Sequence, residues 1–389
     1  MTKKTVYFDN AATTPVDERV LEVMIHSMKS NFGNASSMHA FGVNAKETLT
    51  HSRETLAQFI NAKPEEVIFT SGGTESNNQA IKGVAFSNRH KGNHIIVSAI
   101  EHDCILETCK WLETQGFFVT YLPVSCDGAV DLNLFEKLIN KKTILVSVMH
   151  ANNEIGTIQP VNEIGKLCHD KNVLFHSDAC QTFGKINIDV IKNNIDLLTL
   201  NSHKIYGPKG VGALFIRKGT AISPWLHGGG QEFGLRSSTE NIASIAGFAK
   251  AAELCFDEIE SESMRERKLR NKLFQKLHET FGNVYINGHL TERLPNNANF
   301  SFHGLEGETI RLLFMLDQLG IAVSAGSACS SNHQSGGASH VLQAIGIDPF
   351  QARGSVRVSF GRFNVDEDID FLMNGLKIAA TKLNSIFSV

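Results

Sequence analysis

Val67-Ile-Phe-Thr-Ser-Gly-Gly-Thr-Glu-Ser76 sets a short apolar run directly against a glycine pair, and a helix-length segment comes next. Four consecutive apolar or β-branched residues read as a strand buried on both faces, and Ser-Gly-Gly-Thr reads as the turn into a helix N-terminus. The same figure recurs at His94–Ser98, 143–149, 173–176, 196–200 and 211–216, each an apolar run of strand length. Between these runs lie amphipathic stretches such as 161–171. Strands alternating with helices predict an α/β fold with a mostly parallel sheet covered on both faces.

Around residue 256 the character changes. A highly charged helix is expected over 257–279, then isolated strands at 299–303 and 356–360, and a last helix opened by an Asn364-x-x-Glu367 cap. This predicts two domains: a large one over 16–255, and a smaller α+β domain made of 1–15 and 256–389. A chain of 389 residues is long enough to need both.

Composition narrows the function. A net charge of −3, with 20% charged and 42% hydrophobic residues, gives no reason to expect direct nucleic-acid or membrane-surface binding. No apolar run is long enough to span a bilayer. Asp9 interrupts the N-terminus before a signal-like stretch can form, which argues against secretion. The cysteines at 104, 109, 126, 168, 180, 255 and 329 are odd in number and irregularly spaced, with no C-x-x-C. Disulfides and a bound structural metal are therefore not expected, and a reducing, cytoplasmic setting fits.

In open α/β sheets ligands bind beyond the carboxyl ends of the strands, so the residues just past each run carry the functional signal. Ser71–Ser76 stands after the first, Glu101-His102 after the second, Asn152-Asn153-Glu154 after the third, Asp178 with Gln181 after the fourth, and Asn201-Ser202-His203-Lys204 after the fifth. Each has an ordinary reading alone: a capped turn, a satisfied histidine, a helix-capping aspartate, a solvated lysine. Together they place an anion cradle, a carboxylate, a lysine and a histidine in one crevice. Those are the parts that pyridoxal phosphate requires. The lysine would bond its carbonyl, the carboxylate would keep its ring nitrogen protonated, glycine-lined N–H donors would hold its phosphate, and a ring would lie on its face. Lys204, Asp178, Gly73 with Thr74, and His102 are the candidates. No G-x-x-x-x-G-K and no G-x-G-x-x-G after a strand occurs, which disfavours a P-loop or a nicotinamide site.

Several of these stretches carry a family resemblance. His203-Lys-Ile-Tyr-Gly-Pro-Lys-Gly210, Asp9-Asn-Ala-Ala-Thr-Thr-Pro15, Thr70–Ser76, His150-Ala-Asn-Asn-Glu-Ile-Gly156, Gly234-Leu-Arg-Ser-Ser-Thr239 and Ser327-Ala-Cys329 resemble motifs of the cysteine desulfurases of the class V aminotransferase family. The resemblance implies a fold-type I pyridoxal-phosphate enzyme with a seven-stranded large-domain sheet. It implies that Lys204 anchors the cofactor, Asp178 pairs with its ring nitrogen, Gln181 meets its phenolic oxygen and His102 stacks on it. Gly73, Thr74, Asn201 and His203 would bind the phosphate, with Thr239 arriving from the partner subunit of a homodimer. Asn153 and Arg357 would hold the carboxylate of L-cysteine. Arg357 is also picked out by alternation, since in 355–360 it shares a face with Ser355 and Ser359, opposite Val356, Val358 and Phe360.

Cys329 sits among small and polar residues, 323–339, and reads as an exposed loop thiol. The family implies that it takes the sulfur of cysteine as a persulfide, leaving alanine, with His102 as its candidate base. An acceptor protein would then receive the sulfur, either an iron–sulfur scaffold or a tRNA sulfurtransferase. The only metal contact implied is a transient iron–sulfur one through Cys329. Rival readings are a class V aminotransferase, a selenocysteine lyase, a serine hydrolase prompted by His227-Gly-Gly-Gly230, and a non-catalytic scaffold. The hydrolase lacks a G-x-S-x-G elbow. The chain departs from the family at Asn201, where relatives carry Ser, at Ser238, where they carry Gly, and in a longer 330–339 loop. It also ends at Val389 without the extension that some relatives use toward the scaffold, so that docking is expected to differ.

Overall fold

The computed structural model describes residues 4–282, 284–325 and 338–387. The chain opens with β1 (Val6–Tyr7), α1 (Glu18–Ser30) and α2 (Ala40–Phe59). Next come β2 (Val67–Thr70), α3 (Gly73–Ser87), β3 (His94–Ser98), α4 (Asp103–Thr114), β4 (Phe118–Leu122) and α5 (Leu132–Leu138). The first half of the fold closes with β5 (Thr143–Ser147), α6 (Val161–Asp170), β6 (Leu174–Asp178), β7 (Leu197–Asn201) and β8 (Gly212–Ile216). Beyond it lie α7 (Ile242–Thr280), β9 (Val284–Ile286), β10 (Asn297–Phe302), α8 (Thr309–Gln318) and β11 (Ile321–Ala322). The chain finishes with α9 (His340–Ala344), α10 (Pro349–Ala352), β12 (Ser355–Ser359) and α11 (Asp366–Phe387).

Seven strands form one sheet in the order β2-β8-β7-β6-β5-β3-β4, and only β8 runs against its neighbours. Neighbouring residues on a strand serve opposite cores. Phe69, Val146 and Leu198 pack with Leu56 and Phe248, whereas Ile68, Leu145 and Leu197 pack with Ile81 and Val84. This period-2 split of continuous apolar runs is what a sheet sandwiched between helix layers demands. The expected fold class holds.

A separate apolar cluster joins Phe8, Leu269, Leu273, Phe300, Val356, Val358 and Leu376 around the antiparallel sheet β12-β10-β9. The N-terminal segment contributes to it through β1, which pairs in parallel with β11. Helix α7 connects the two regions without a break. Its residues from Ile242 to Cys255 pack into the large sheet's core, and Leu269, Leu273 and Leu277 into the other. The change of character near residue 256 is thus a change of packing partner inside one 39-residue helix, which starts well before the expected 257.

Two sequence readings need correction. Strand β4 lies outside the expected runs. It is a sheet edge with an exposed Phe118 and mixed burial, so it lacks the continuous apolar signature of its neighbours. The last helix is not capped by Asn364 and Glu367. Asp368 Oδ2 accepts from the Val365 N–H at 3.1 Å, while Asn364 Oδ1 accepts from Gly361 N–H and its amide donates to the Tyr7 carbonyl. An acidic side chain three residues into the helix reaches back to the cap, one register later than the sequence pattern implied.

Candidate active site

The carboxyl ends of β2, β3, β5, β6 and β7 open onto one cavity of about 340 Å³. Each strand end delivers a different function. After β2 the chain turns at Gly72, whose φ of 152° suits a residue without a side chain, and α3 begins at Gly73. The first N–H groups of α3 lack carbonyl partners within the helix, as at any helix start, and Gly73 and Thr74 bring them to the cavity. A Cβ on Gly73 would stand 2.7 Å from Cys180 Sγ, so glycine is what lets this helix end lie against β6.

Strand β6 ends on Asp178. Its Oδ1 accepts from the Cys180 N–H at 2.8 Å and its Oδ2 from Asn77 Nδ2 at 2.7 Å. Burial pushes this carboxyl up. The donors at Cys180 and Asn77 and the charge of Lys204 outweigh it, so the group is held below its ordinary value and is a carboxylate at neutral pH. Asn201, at the end of β7, and His203 and Lys204, just past it, reach the same cavity. Among the described residues the Asn201 Oδ1 is buried without a hydrogen-bond partner. His203 Nδ1 lies 3.1 Å from Thr13 Oγ1; burial, together with the nearby Lys204 charge, lowers its pKa to about 4.

Beyond β3, His102 is the N-cap of α4, its Nδ1 accepting from the Cys104 N–H at 3.2 Å. Burial depresses its pKa, as does Lys204, against the opposing pull of Asp178 and Asp103. Glu101 does not reach the cavity. It is fully buried, accepts from Ser98 Oγ and Met149 N–H, and its carboxyl is pushed up to about 8 by burial. Asn152 is likewise structural, its Oδ1 accepting from the Glu154 and Ile155 N–H groups. Asn153 and Glu154 line the cavity, and Ser339 Oγ donates to Glu154 Oε2 at 2.5 Å.

The far wall comes from the other core. Arg357, on β12, turns away from Val356 and Val358 as alternation predicts, but it is buried, not solvated. Its guanidinium donates to Asp9 Oδ1 at 2.8 Å and to the Asn153 carbonyl at 3.0 Å.

Of the expected site residues, Gly73, Thr74, His102, Asn153, Asp178, Asn201, His203, Lys204 and Arg357 meet in this cavity. Gln181 stands just behind it, its amide donating to the carbonyl of Ala11, which lines the wall. Thr239 is not brought there. It lines a separate depression of about 220 Å³ beside Glu232 and Arg236. Next to it Ser238 takes a φ of 156°, a backbone state that side chains rarely adopt. Cys329 lies outside the described residues. The His227–Gly230 stretch is exposed and apart from the cavity. Sequence reasoning missed Asn77, Cys104, Asp9 and His340. Asn77 had a legible signal, because it falls one helical turn after Gly73 and therefore on the same face of α3.

The donor set fits pyridoxal phosphate. A helix N-terminus made approachable by glycine, an ionised buried carboxylate, a lysine and the Asn201 amide surround a space of suitable volume.

Fold and cavity together define a pyridoxal-phosphate enzyme of the aminotransferase type, and the chain belongs to the aminotransferase class V family, whose profile matches residues 6–372. It is 48% identical over 384 residues to cysteine desulfurase IscS of Dictyoglomus turgidum, covering 99% of this chain and 96% of that protein. A solved NifS-like protein superposes with a TM-score of 0.90 at 41% identity, covering 97% of this chain and 100% of the other. SspA, solved in complex with cysteine, gives a TM-score of 0.81 at 37% identity, over 94% and 100% of the two chains. Within its family the chain thus stands with the cysteine desulfurases.

Proposed function

We propose that this chain removes sulfur from L-cysteine, leaving L-alanine, holds that sulfur as a persulfide on Cys329, and passes it to an acceptor protein. The observation that carries the reading is the convergence of Lys204, ionised Asp178 and the α3 N-terminus with Arg357 across one cavity. Its membership of the cysteine desulfurases points the same way.

Pyridoxal phosphate, when bound, supplies an electron sink that acidifies the Cα–H of an amino acid. Lys204 is its anchor and Asp178 the charge partner of its ring nitrogen, with Gln181 toward its phenolic oxygen. Gly73, Thr74, Asn201 and His203 are the phosphate ligands. Arg357 and Asn153 orient the substrate carboxylate; a planar guanidinium suits it because it offers two parallel donors. The Lys204 amine, once released, takes the Cα proton. The Cys329 thiolate then attacks the substrate sulfur. A sulfur–sulfur bond forms as the Cβ–S bond breaks, and the electron pair stays on Cβ, which takes up a proton to become the methyl of alanine.

Residues 16–255 act as the cofactor-binding domain, and 1–15 with 256–389 as the domain that carries Arg357 and Cys329. The active form is a homodimer in which Thr239 serves the partner's cavity. Two observations support that assembly: Thr239 does not line its own cavity, and Met28, Phe32, Met38 and Phe41 are exposed apolar side chains, the Phe32 and Phe41 rings lying 5.2 Å apart. The acceptor is an iron–sulfur scaffold or a tRNA sulfurtransferase, met in the cytoplasm. Among the described residues no helix is long and apolar enough to cross a membrane.

The test is purified protein given L-cysteine, assayed for alanine and mapped for persulfide. Alanine with one extra sulfur on the Cys329 peptide is expected. Full conversion of cysteine to alanine by Cys329→Ser would overturn the proposed sulfur carrier and favour another class V activity.

A further inference from the structure

The active-site cavity contains a thiol that the proposed reaction leaves unused. Cys104 Sγ lies 3.1 Å from His102 Nδ1 and 3.3 Å from Asn77 Nδ2. Asn77 Nδ2 also donates to Asp178 Oδ2 at 2.7 Å. The groups form a chain: Asp178, Asn77, Cys104, His102. Its direction is set by chemistry. An amide nitrogen can only donate, so Asn77 gives one hydrogen to the carboxylate and the other to the sulfur. The Thr74 hydroxyl also gives its hydrogen to this sulfur, which, accepting from Asn77 and Thr74, keeps its own S–H for the His102 Nδ1. That nitrogen already accepts from the Cys104 backbone N–H. Two donors facing one ring nitrogen leave no room for a hydrogen on it.

Resting on the proposed function, we infer that Cys104 is a positioning residue: with Asn77 it holds His102 as the neutral tautomer carrying its proton on Nε2. The imidazole therefore faces the cavity as a hydrogen-bond donor, and its basic nitrogen is turned inward. This revises the expectation that His102 is the base for Cys329, because Nε2 of a neutral, Nε2-protonated ring has no lone pair to offer. Among the described residues Nε2 makes no hydrogen bond, which leaves it available to a bound molecule.

The surroundings agree. Burial pushes the Cys104 thiol up to about 12, so it keeps its S–H near neutral pH. Burial and the Lys204 charge both disfavour a second proton on His102; Asp178 at the end of β6 and Asp103 on α4 favour one, and His340 on α9 opposes it. The hydrogen-bonded chain adds a local reason for the ring to stay neutral, since each donor to Nδ1 stabilises the unprotonated nitrogen.

The test is nitrogen NMR on holoenzyme labelled with ¹⁵N-histidine, the His102 signals being identified by their loss in His102→Asn. The expected result is an Nδ1 with the shift of an unprotonated ring nitrogen and an Nε2 with that of a protonated one. In Cys104→Ala the protonation midpoint of His102 should rise by about 0.5–1 pH unit, the worth of one hydrogen bond. The acidic limb of kcat/KM should move with it. Cys104→Ser, whose hydroxyl can donate, should restore most of the shift. A protonated Nδ1 in the unaltered protein, or a midpoint unmoved in Cys104→Ala, would overturn the inference. Neither NMR readout depends on the identity of the substrate, so failure here is distinct from failure to form alanine from cysteine.

Discussion

The two walls of the cavity are built in opposite ways. The floor is one sheet: Gly73, His102, Asp178 and Lys204 each stand at or just past a strand end, within residues 73–204, and every adjacent strand fixes the next. The far wall is assembled from distant chain. Arg357 meets Asp9, 348 residues away, and the Asn153 carbonyl, 204 residues away. A floor held by a shared ladder can place groups rigidly for chemistry on a cofactor. A wall that depends on a second core packing against the first can register what the cavity contains. We therefore expect changes in the floor to act on the chemical step and changes in the far wall to act on substrate affinity.

The comparison breaks most visibly at Asp178. Removing this buried charge while leaving Lys204 in place costs on the order of 3–5 kcal/mol, so Asp178→Asn should lower kcat by about 10²–10⁴-fold with little change in KM. Steady-state kinetics checks this, and a loss mainly in KM would reverse the assignment of the floor. Arg357→Lys keeps the charge but loses the planar fork. Charged hydrogen bonds of this kind are worth about 1.5–3 kcal/mol, which predicts a KM for cysteine raised by about 10–100-fold and a kcat less affected.

The floor also has a pH limit that can be read from stability. His176 on β6 and His150 just past β5 are fully buried, and burial lowers both to about 4. An unfolded histidine titrates near 6.5, so below that pH the unfolded chain binds protons that the folded chain refuses. The stability they contribute is whole above about 6.5 and is lost as pH falls toward 4. Between pH 7 and 5.5 each should cost about 1 kcal/mol, measurable by denaturant titration at the two pH values. A curve flat over that interval would contradict it. The smallest effect concerns the depression beside Thr239, outside both walls. Ser238 holds a φ of 156°, so Ser238→Gly should relieve strain and raise stability by about 1 kcal/mol, with alanine formation retained because the Thr239 side chain is unchanged.

The same contrast explains how much of the molecule is legible in its sequence. The floor is legible because each functional residue lies next to a strand whose apolar run announces it. Strand limits differ only slightly, as where Asp178 is the last residue of β6 and not two residues past its end. The far wall is legible at Arg357, where alternation gives the facing; Asp9 opens a family-like motif, but nothing local pairs it with Arg357, because that contact is made by tertiary packing. Edge strand β4 escapes notice because one side of it meets no further strand and its burial is mixed. Cys104 reads in the sequence as one more small buried thiol. Only the structure puts its sulfur between Asn77 and His102, since they stand on α3 and at the start of α4.

The proposed chemistry rests on the amine of Lys204, and one measurement reaches it directly. Holoenzyme reduced with borohydride should lose its visible absorbance, and peptide mapping should recover the reduced cofactor attached to the peptide containing Lys204 and to no other. Recovery of the label on a different lysine, or a protein that carries no such chromophore when purified with the cofactor supplied, would contradict it.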